Sequence, residues 1–452
     1  MAKKKVVEVD VASMTSALLE GMTAKLHSNK DIAAFNTGMS VANDVGIPLP
    51  ALSLRYLFQI TAIPLSRIVQ LIGEEGSAKS AFLTEIARWV LLYDGLYFFA
   101  ENENKDTRTL RSSLLGWDAK LIRRVVDQPT KSMEAWQMLM TRSIESAKHL
   151  QTIRSGPGMT IPIIFGVDSL TGTPSLAALA KIIAQGFASK SYADGAYLVA
   201  AYMRAMPMLI GGFPFLFVAT NHAKPAKDAM GNEIYNVPGG KGTKFMETFE
   251  FLLKRRGDLK KVGTKGIRIR FKNMKNSLGP GRCEIEANMY WQIIPQAEGG
   301  FRQMTAWDWH TASIEVLQKS NMDLKLRNAI SDVTGIAVAN VSKKLCYSDL
   351  LGAGDKSNPI SFYQMSQILE SRPDVLANLY PLLHITPCVP FVAGQDYVSQ
   401  QRAASKSAAA VVATRYAQTA LLPQLSGDEL NDEGLEEPTT NYCEQESDGD
   451  AA

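Results

Sequence analysis

Leu71-Ile72-Gly73-Glu74-Glu75-Gly76-Ser77-Ala78-Lys79-Ser80 is the stretch whose reading decides the fold. An apolar run, Ile68 to Ile72, stops at a glycine. Beyond the loop, Ala81 to Val90 places Phe82, Leu83, Ile86 and Val90 at helical spacing. A strand, a glycine-bearing turn, then Lys-Ser opening a helix is the layout G-x-x-x-x-G-K-[ST] that cradles phosphates. Backbone N–H groups and the helix N-terminus favour an anion, Lys79 neutralises it, and the Ser80 hydroxyl can ligate Mg²⁺. The expected nucleotide-contacting residues are Gly73, Glu74, Glu75, Gly76, Ser77, Ala78, Lys79, Ser80 and Ala81. Ala78 stands where the pattern has its second glycine. Positive φ is costly for alanine, so a slightly reshaped cradle is expected, with binding favoured over fast hydrolysis.

On either side of this loop, strand and helix patterns alternate. Strands are expected at Arg67–Ile72, Leu96–Ala100, Arg123–Asp127, Thr160–Asp168 and Pro214–Thr220. Helices are expected at Ala81–Leu92, Thr107–Leu115, Ser132–Leu150 and within Leu176–Leu209. The alternation implies βαβ units and an α/β fold with a mainly parallel central sheet. Such sheets take ligands beyond the carboxyl ends of their strands. Ala223 to Gly242 is polar and carries Gly and Pro, which predicts a long mobile loop. Glu250–Lys254, Gly266–Asn273 and Cys283–Ile294 alternate as antiparallel strands do. Residues 296–420 give weaker helical signals, including an Ala-rich stretch near Ala403–Leu422, and no chemistry.

Several residues complete a possible phosphate site. Ile161 to Asp168 is an apolar strand ending in a carboxylate, suited to holding Mg²⁺ beside Ser80. The Leu96–Ala100 strand ends in Glu101 and Glu103; either can polarise a water for attack on a terminal phosphate. Asn221-His222 ends the Pro214–Thr220 strand and opens the long loop, where a polar side chain can sense a γ-phosphate. From Lys254 to Arg282 there are eleven Lys/Arg against one acid, Asp258. There, Ile267, Ile269 and Phe271 alternate with Arg268, Arg270 and Lys272, giving one apolar and one cationic face. That density favours phosphate contact with a salt-dependent affinity.

A chain of 452 residues predicts roughly two to three domain-sized units. Its 46% hydrophobic and 21% charged residues are ordinary for a globular protein. Four scattered cysteines show neither CxxC nor zinc spacing, which predicts reduced thiols. No run reaches the roughly 18 apolar residues of a membrane span, and Met-Ala-Lys-Lys-Lys-Val-Val-Glu lacks a signal-peptide apolar region. A soluble intracellular protein with no membrane partner is expected. The net charge of +3 hides an asymmetry. Ala417 to Ala452 has ten acidic residues and no Lys or Arg; without it, 48 basic residues face 35 acidic ones, a net +13. A basic body with an acidic tail suits polyanion binding.

In this order and spacing, the elements resemble the RecA family of DNA strand-exchange recombinases, its phage-encoded branch above all. The likeness covers roughly residues 47–295 and begins with Ile47-Pro48, Leu52-Ser53-Leu54 and Ile63-Pro64-Leu65-Ser66-Arg67 before the loop. It continues through Leu115-Gly116-Trp117-Asp118, Asp127-Gln128-Pro129, Val167-Asp168-Ser169, Gly239-Gly240, Lys244-Phe245 and Lys272-Asn273 with Lys275. The resemblance implies a RecA-like phosphate-loop ATPase core at 47–295. Around it come an N-terminal arm at 1–46 docking on the next subunit, a C-terminal region at 296–422 of no assigned role, and an acidic disordered tail at 423–452. It implies ATP and Mg²⁺ as ligands, with Lys79 and Ser80 on the phosphates and Asp168 supporting the metal. Glu103 would activate water, with Glu101 its alternative, and His222 would couple nucleotide to the loop that follows. Gly239, Gly240, Lys241 and Lys244 fall in that DNA-binding loop, and Arg268 and Arg270 on the cationic strand would add backbone contacts. Lys272 and Lys275 match lysines that reach a neighbouring subunit's ATP, the family's Lys-x-Lys standing here as Lys-Asn-Met-Lys.

The implied protein is a DNA-dependent ATPase of recombination and repair. It would form helical filaments of identical subunits on single-stranded DNA and pair it with double-stranded DNA, in the cytoplasm of a bacterium or a phage-infected host. Two alternatives remain: a RecA-fold hexameric DNA helicase, and an ATP-binding DNA-filament protein with weak hydrolysis. The tail gives a first test. Deleting residues 424–452 is expected to tighten DNA binding and shift it to higher salt in a fluorescence-anisotropy titration; unchanged salt dependence would leave the tail only a solubilising role.

Overall fold

A computed structural model describes residues 44–102, 108–153, 161–172, 174–185, 192–227, 230, 233–238, 246–261, 264–295, 301–319, 366–367, 369–397, 399–401 and 403–404. Residues 1–43 of the expected arm and the whole acidic tail lie outside these residues, as do Glu103, Gly239, Gly240, Lys241 and Lys244.

The chain is α/β. A lead-in of β1 (Val45–Pro48), α1 (Leu52–Phe58) and β2 (Ala62–Pro64) brings it to β3 (Arg67–Gly73), then α2 (Lys79–Leu92) and β4 (Leu96–Glu101). Next come α3 (Arg108–Leu114), α4 (Ala119–Ile122), β5 (Val125–Pro129), α5 (Met133–Ile153), β6 (Ile163–Asp168), α6 (Leu176–Gln185), α7 (Tyr192–Ile210) and β7 (Phe215–His222). A small hairpin, β8 (Lys224–Lys227) with β9 (Glu233–Asn236), precedes four long strands: β10 (Phe249–Lys261), β11 (Thr264–Asn276), β12 (Glu284–Pro295) and β13 (Phe301–Asp308). The described chain ends with α8 (Trp309–Lys319), α9 (Pro373–Leu382) and β14 (Val389–Pro390).

Nine strands form one sheet in the order β13-β12-β11-β10-β3-β7-β6-β4-β5. From β10 to β5 every neighbour is parallel; β10 to β13 are antiparallel. Strands β3, β6 and β7 are apolar nearly throughout because both faces of a parallel sheet are covered. On one side, α2 buries Phe82, Leu83, Ile86 and Val90 in a cluster with Val69, Leu71, Ile164 and Val218. On the other, Trp136 and Met140 of α5 and Val199 and Met203 of α7 pack with Phe165 and Phe217.

Two regions differ from the sequence expectation. Ala223–Gly242 is not a structureless loop: β8 and β9 pair antiparallel inside it. Tyr235 and Val237 pack there against Ile72, Ala223 and Leu252. Pro225 hides the strand pattern, since proline weakens the case for a strand read from sequence. The sheet also runs on past Pro295 into β13, and α8 adds Trp309, Ala312 and Val316 to the cluster around α2. Residues 366–404 return to the lead-in. Val389 pairs with Val45, and Arg55 reaches Glu370 at 2.7 Å. Leu52 packs with Leu369, Val375, Leu376 and Leu379.

Among the described residues no helix is long and apolar enough to cross a membrane. Cys283 and Cys388 are buried free thiols.

Within α2, Glu85 is 4% exposed and accepts from the indole N–H groups of Trp89 (3.1 Å) and Trp309 (3.3 Å). Burial raises its carboxyl above the ordinary 4.5, against the opposing pull of Arg88 and the two indoles. A raised folded-state pKa contributes stability below the unfolded value that is lost as pH rises through the folded one. Glu85→Gln keeps an acceptor for the indoles and removes the ionisation. The variant is expected to melt roughly 2 °C higher than the unaltered chain at pH 8 and to show no gain at pH 4. A lower melting temperature at both pH values would count against this account.

Candidate functional site

The carboxyl ends of β3, β7, β6 and β4 stand side by side, and Gly73, Glu101, Asp168 and His222 lie at these ends. Gly73 closes β3 in register with His222 at the end of β7, and Glu101 closes β4 in register with Asp168 at the end of β6. From Gly73 the chain turns through exposed Glu74, Glu75 and Gly76 to buried Ser77, then Ala78 and the start of α2. The Ser77 hydroxyl donates to the Glu74 carbonyl at 2.7 Å and closes the turn. A side chain at Gly73 would come within 2.4 Å of the Leu253 carbonyl oxygen and 2.6 Å of Ser77 Oγ, so this position admits only glycine.

Ala78 adopts φ 64°, ψ 26° and gives α2 no side-chain cap. The first N–H groups of α2 therefore face the loop with the positive end of the helix dipole behind them. Lys79 is 7% exposed, and its Nζ donates to the carbonyls of Gly73 (3.0 Å) and Glu74 (2.7 Å). Ala81 is buried beneath the loop. The Ser80 hydroxyl donates to Asp168 Oδ2 at 2.5 Å, while Thr220 donates to Oδ1 at 2.5 Å. Asp168, itself 7% exposed, is thus held by hydroxyls from α2 and β7. Thr220 has no motif to mark it; only its place two residues before His222, at the end of an apolar strand, hints at it.

Glu101 is half-buried at the end of β4. Asn102 follows and ties the two strand ends together: its backbone N–H donates to Asp168 O (2.9 Å) and its amide to Ser169 O (3.0 Å). It also accepts from Thr130. Asn221 is fully buried, and His222 is half-buried beside it.

Lys272 is exposed and Lys275 half-buried. The spare residue between them is absorbed by a bulge. Asn273 pairs with Phe251 and Lys275 with Glu250, leaving Met274 extra. Lys272 and Lys275 therefore oppose Leu252 and Glu250, two residues apart on β10, and leave the sheet on one face. Lys254 shares that face and lies 6.0 Å from the centre of the Tyr235 ring.

Arg268 and Arg270 differ from the expectation of free cations. Arg268 pairs with Glu286 and Glu315, each at 2.7 Å, and Arg270 with Glu286 (3.3 Å) and Glu284 (3.4 Å). Their charge is balanced within the fold because β12 sets Glu284 and Glu286 in register opposite Lys272 and Arg270. Exposed Lys224 and Lys227 on β8 are cations that the motif reading passed over.

These donors fit a nucleotide phosphate with a hard divalent cation: helix N–H groups and an ammonium for the anion, with a hydroxyl and a carboxylate for the metal. The left-handed Ala78 gives a local test. Ala78→Gly relieves positive φ and is expected to stabilise the fold by about 1 kcal/mol in urea unfolding. No gain, or a loss, would mean that φ 64° carries no strain.

Compared with known proteins, the chain matches no protein-family model and no curated protein.

Proposed function

We propose that the chain is an ATP-dependent DNA recombinase with a RecA-like ATPase core. It assembles as a helical filament on single-stranded DNA and pairs that strand with homologous double-stranded DNA. One observation carries the reading. Lys79 and Ser80 open α2 beside Asp168, with Ser80 Oγ 2.5 Å from the carboxylate, at the shared end of β3, β7, β6 and β4.

In this reading the N–H groups of the 73–80 loop bind the phosphates of ATP, and Lys79 moves from the Gly73 and Glu74 carbonyls to neutralise them. Ser80 and Asp168 would hold Mg²⁺, which when bound would supply charge neutralisation for the phosphates. Thr220 keeps the carboxylate of Asp168 turned toward Ser80. Glu101 or Glu103 orients the attacking water and takes its proton. His222 stands next to Gly73, where it can report the terminal phosphate to the segment that follows. Lys272 and Lys275, on one sheet face, serve a neighbouring subunit's nucleotide, so each site is completed by the next copy in an open, non-closing assembly. Lys224 and Lys227 join Gly239, Gly240, Lys241 and Lys244 in contacting the DNA backbone. Arg268 and Arg270 are left out of that interface because they are paired within the sheet.

A second reading is favoured by Ala78: an ATP-binding DNA-filament protein that hydrolyses slowly, its cradle reshaped by the left-handed alanine.

Lys79→Ala is expected to weaken ATP binding about 100-fold, the loss of a buried charge-assisted contact, with an unchanged melting temperature. The unaltered chain with ATP and single-stranded DNA should give helical filaments in negative-stain images. Discrete rings would overturn the proposal in favour of a helicase. Filaments with negligible turnover would select the second reading.

A further inference from the structure

Alternate residues of β10 face α2: Phe249, Phe251 and Leu253 pack in one cluster with Phe82 and Leu83 of that helix. Arg255 is next in the series. It lies opposite Ile269 of β11, which is buried in the same cluster. Lys254, Lys272 and Lys275 belong to the other face. Leu253 is in register with Gly73, so Arg255 lies two residues beyond the end of β3, alongside the 73–80 loop. There it lines a groove with Glu74, Glu75 and Ser77, and a Cβ at Gly76 would meet its Nη1 at 3.9 Å. The β11 register then skips Arg256, giving Gly257 as the partner of Arg268, and such a bulge re-aims the side chains beside it.

The charge on the loop gives this position its meaning. Glu74 and Glu75 are exposed, and the ammonium of Lys79 is buried against the Gly73 and Glu74 carbonyls. Two carboxylates against one ammonium oppose a polyphosphate unless further cations are supplied. Arg255 supplies one from the same chain. Its ion pair is with Asp258, and the two side chains are 49% and 56% exposed. An exposed pair of this kind contributes little stability, so exchanging Asp258 for a phosphate costs little. A guanidinium also offers forked donors that match phosphate oxygens.

We infer that Arg255 is a further catalytic residue, a cation that leaves Asp258 for the terminal phosphate of the nucleotide held by its own chain. The inference rests on the proposed function. As water attacks the γ-phosphorus, the bond to the β–γ bridging oxygen breaks and its electron pair stays on ADP. The water's proton passes to Glu101 or Glu103, and inorganic phosphate leaves. Arg255 exchanges no proton or electron; it stabilises the charge on the oxygens of the phosphoryl group in transfer. It differs in this from Lys272 and Lys275, which serve a neighbour's nucleotide from the opposite face.

Arg255→Gln tests it, with three measurements: ATP turnover with oligo-dT, binding of ADP with and without aluminium fluoride as a mimic of the phosphoryl group in transfer, and melting temperature. Turnover is expected to fall at least about 100-fold. ADP affinity should stay within about threefold, while the tightening that aluminium fluoride gives the unaltered chain is lost. Melting should be unchanged. Mixing Arg255→Gln with Lys79→Ala subunits should restore no turnover, because the arginine and the lysine serve the same nucleotide. Turnover or fluoride tightening retained in Arg255→Gln, or activity regained in the mixture, overturns the inference. If Arg255→Gln melts lower, Arg255→Lys, which keeps the charge but not the fork, must lose at least about tenfold in turnover, and full turnover overturns it. An unaltered chain that binds ATP with negligible turnover leaves the decision to the fluoride measurement, and no tightening there overturns the inference alone. An unaltered chain that binds no ATP overturns the proposed function as well.

Discussion

Asp168 is a carboxylate almost closed off from solvent, and it is retained there by two hydroxyls on different elements, Ser80 of α2 and Thr220 of β7. Burying a carboxylate is costly unless its oxygens are satisfied, so the position of each element depends on the others. The helix must begin at Lys79, β6 must stop at Asp168, and β7 must lie beside it. The apolar interiors of β3, β6 and β7 supply the burial energy that holds the arrangement, and their polar ends supply its chemistry. Asn102 extends the tie to β4, so four strand ends form one polar edge.

Much of this edge was legible because parallel strands and amphipathic helices write their burial into the sequence. Four apolar runs and the Phe82, Leu83, Ile86, Val90 spacing led directly to β3, β4, β6, β7 and α2. Gly73 and Asp168 could be picked out because each sits where an apolar run ends, and Lys79 and Ser80 because they follow Gly73 at the spacing of a phosphate-cradling loop. Thr220 could not, because a threonine in a strand is ordinary until its neighbour is known. Arg268 and Arg270 carry the same lesson. Their partners Glu284 and Glu286 were visible, but only the β11–β12 register brings them opposite, and a dense cationic stretch then becomes an internal ion-pair ladder. The hairpin at Lys224–Asn236 was hidden by Pro225 and by strands of four residues each. β13 was hidden because Thr305 alone among its eight residues is buried.

The antiparallel half of the sheet changes what the basic stretch means. Arg268 and Arg270 are ion-paired within the sheet, and Lys254, Lys272 and Lys275 share a face of it. The bulge at Met274 matters here. Without it, residues three apart on a strand would leave by opposite faces, and Lys272 and Lys275 could not act on one ligand. The inserted residue therefore leaves the two lysines on a common face, close to the β8–β9 hairpin that packs on Leu252.

Ala78 and Gln70 are the two residues in and beside the 73–80 loop that local rules would not choose. An alanine with φ 64° and an amide in the middle of a fully buried strand each raise the energy of the fold, and such departures collect at functional sites. They differ in how the cost is met. Nothing hydrogen-bonds to the Ala78 side chain, so its strain is borne by the rest of α2, whose buried face is large enough to impose it. The cost of Gln70 is met locally, by Asn221 and Glu247. A strain borne by a helix and a cost met by hydrogen bonds are different in kind, one carried by burial and the other by matched polar groups. At Ala78 the cost lies with the packing of α2, and at Gln70 with two buried side chains, Asn221 and Glu247.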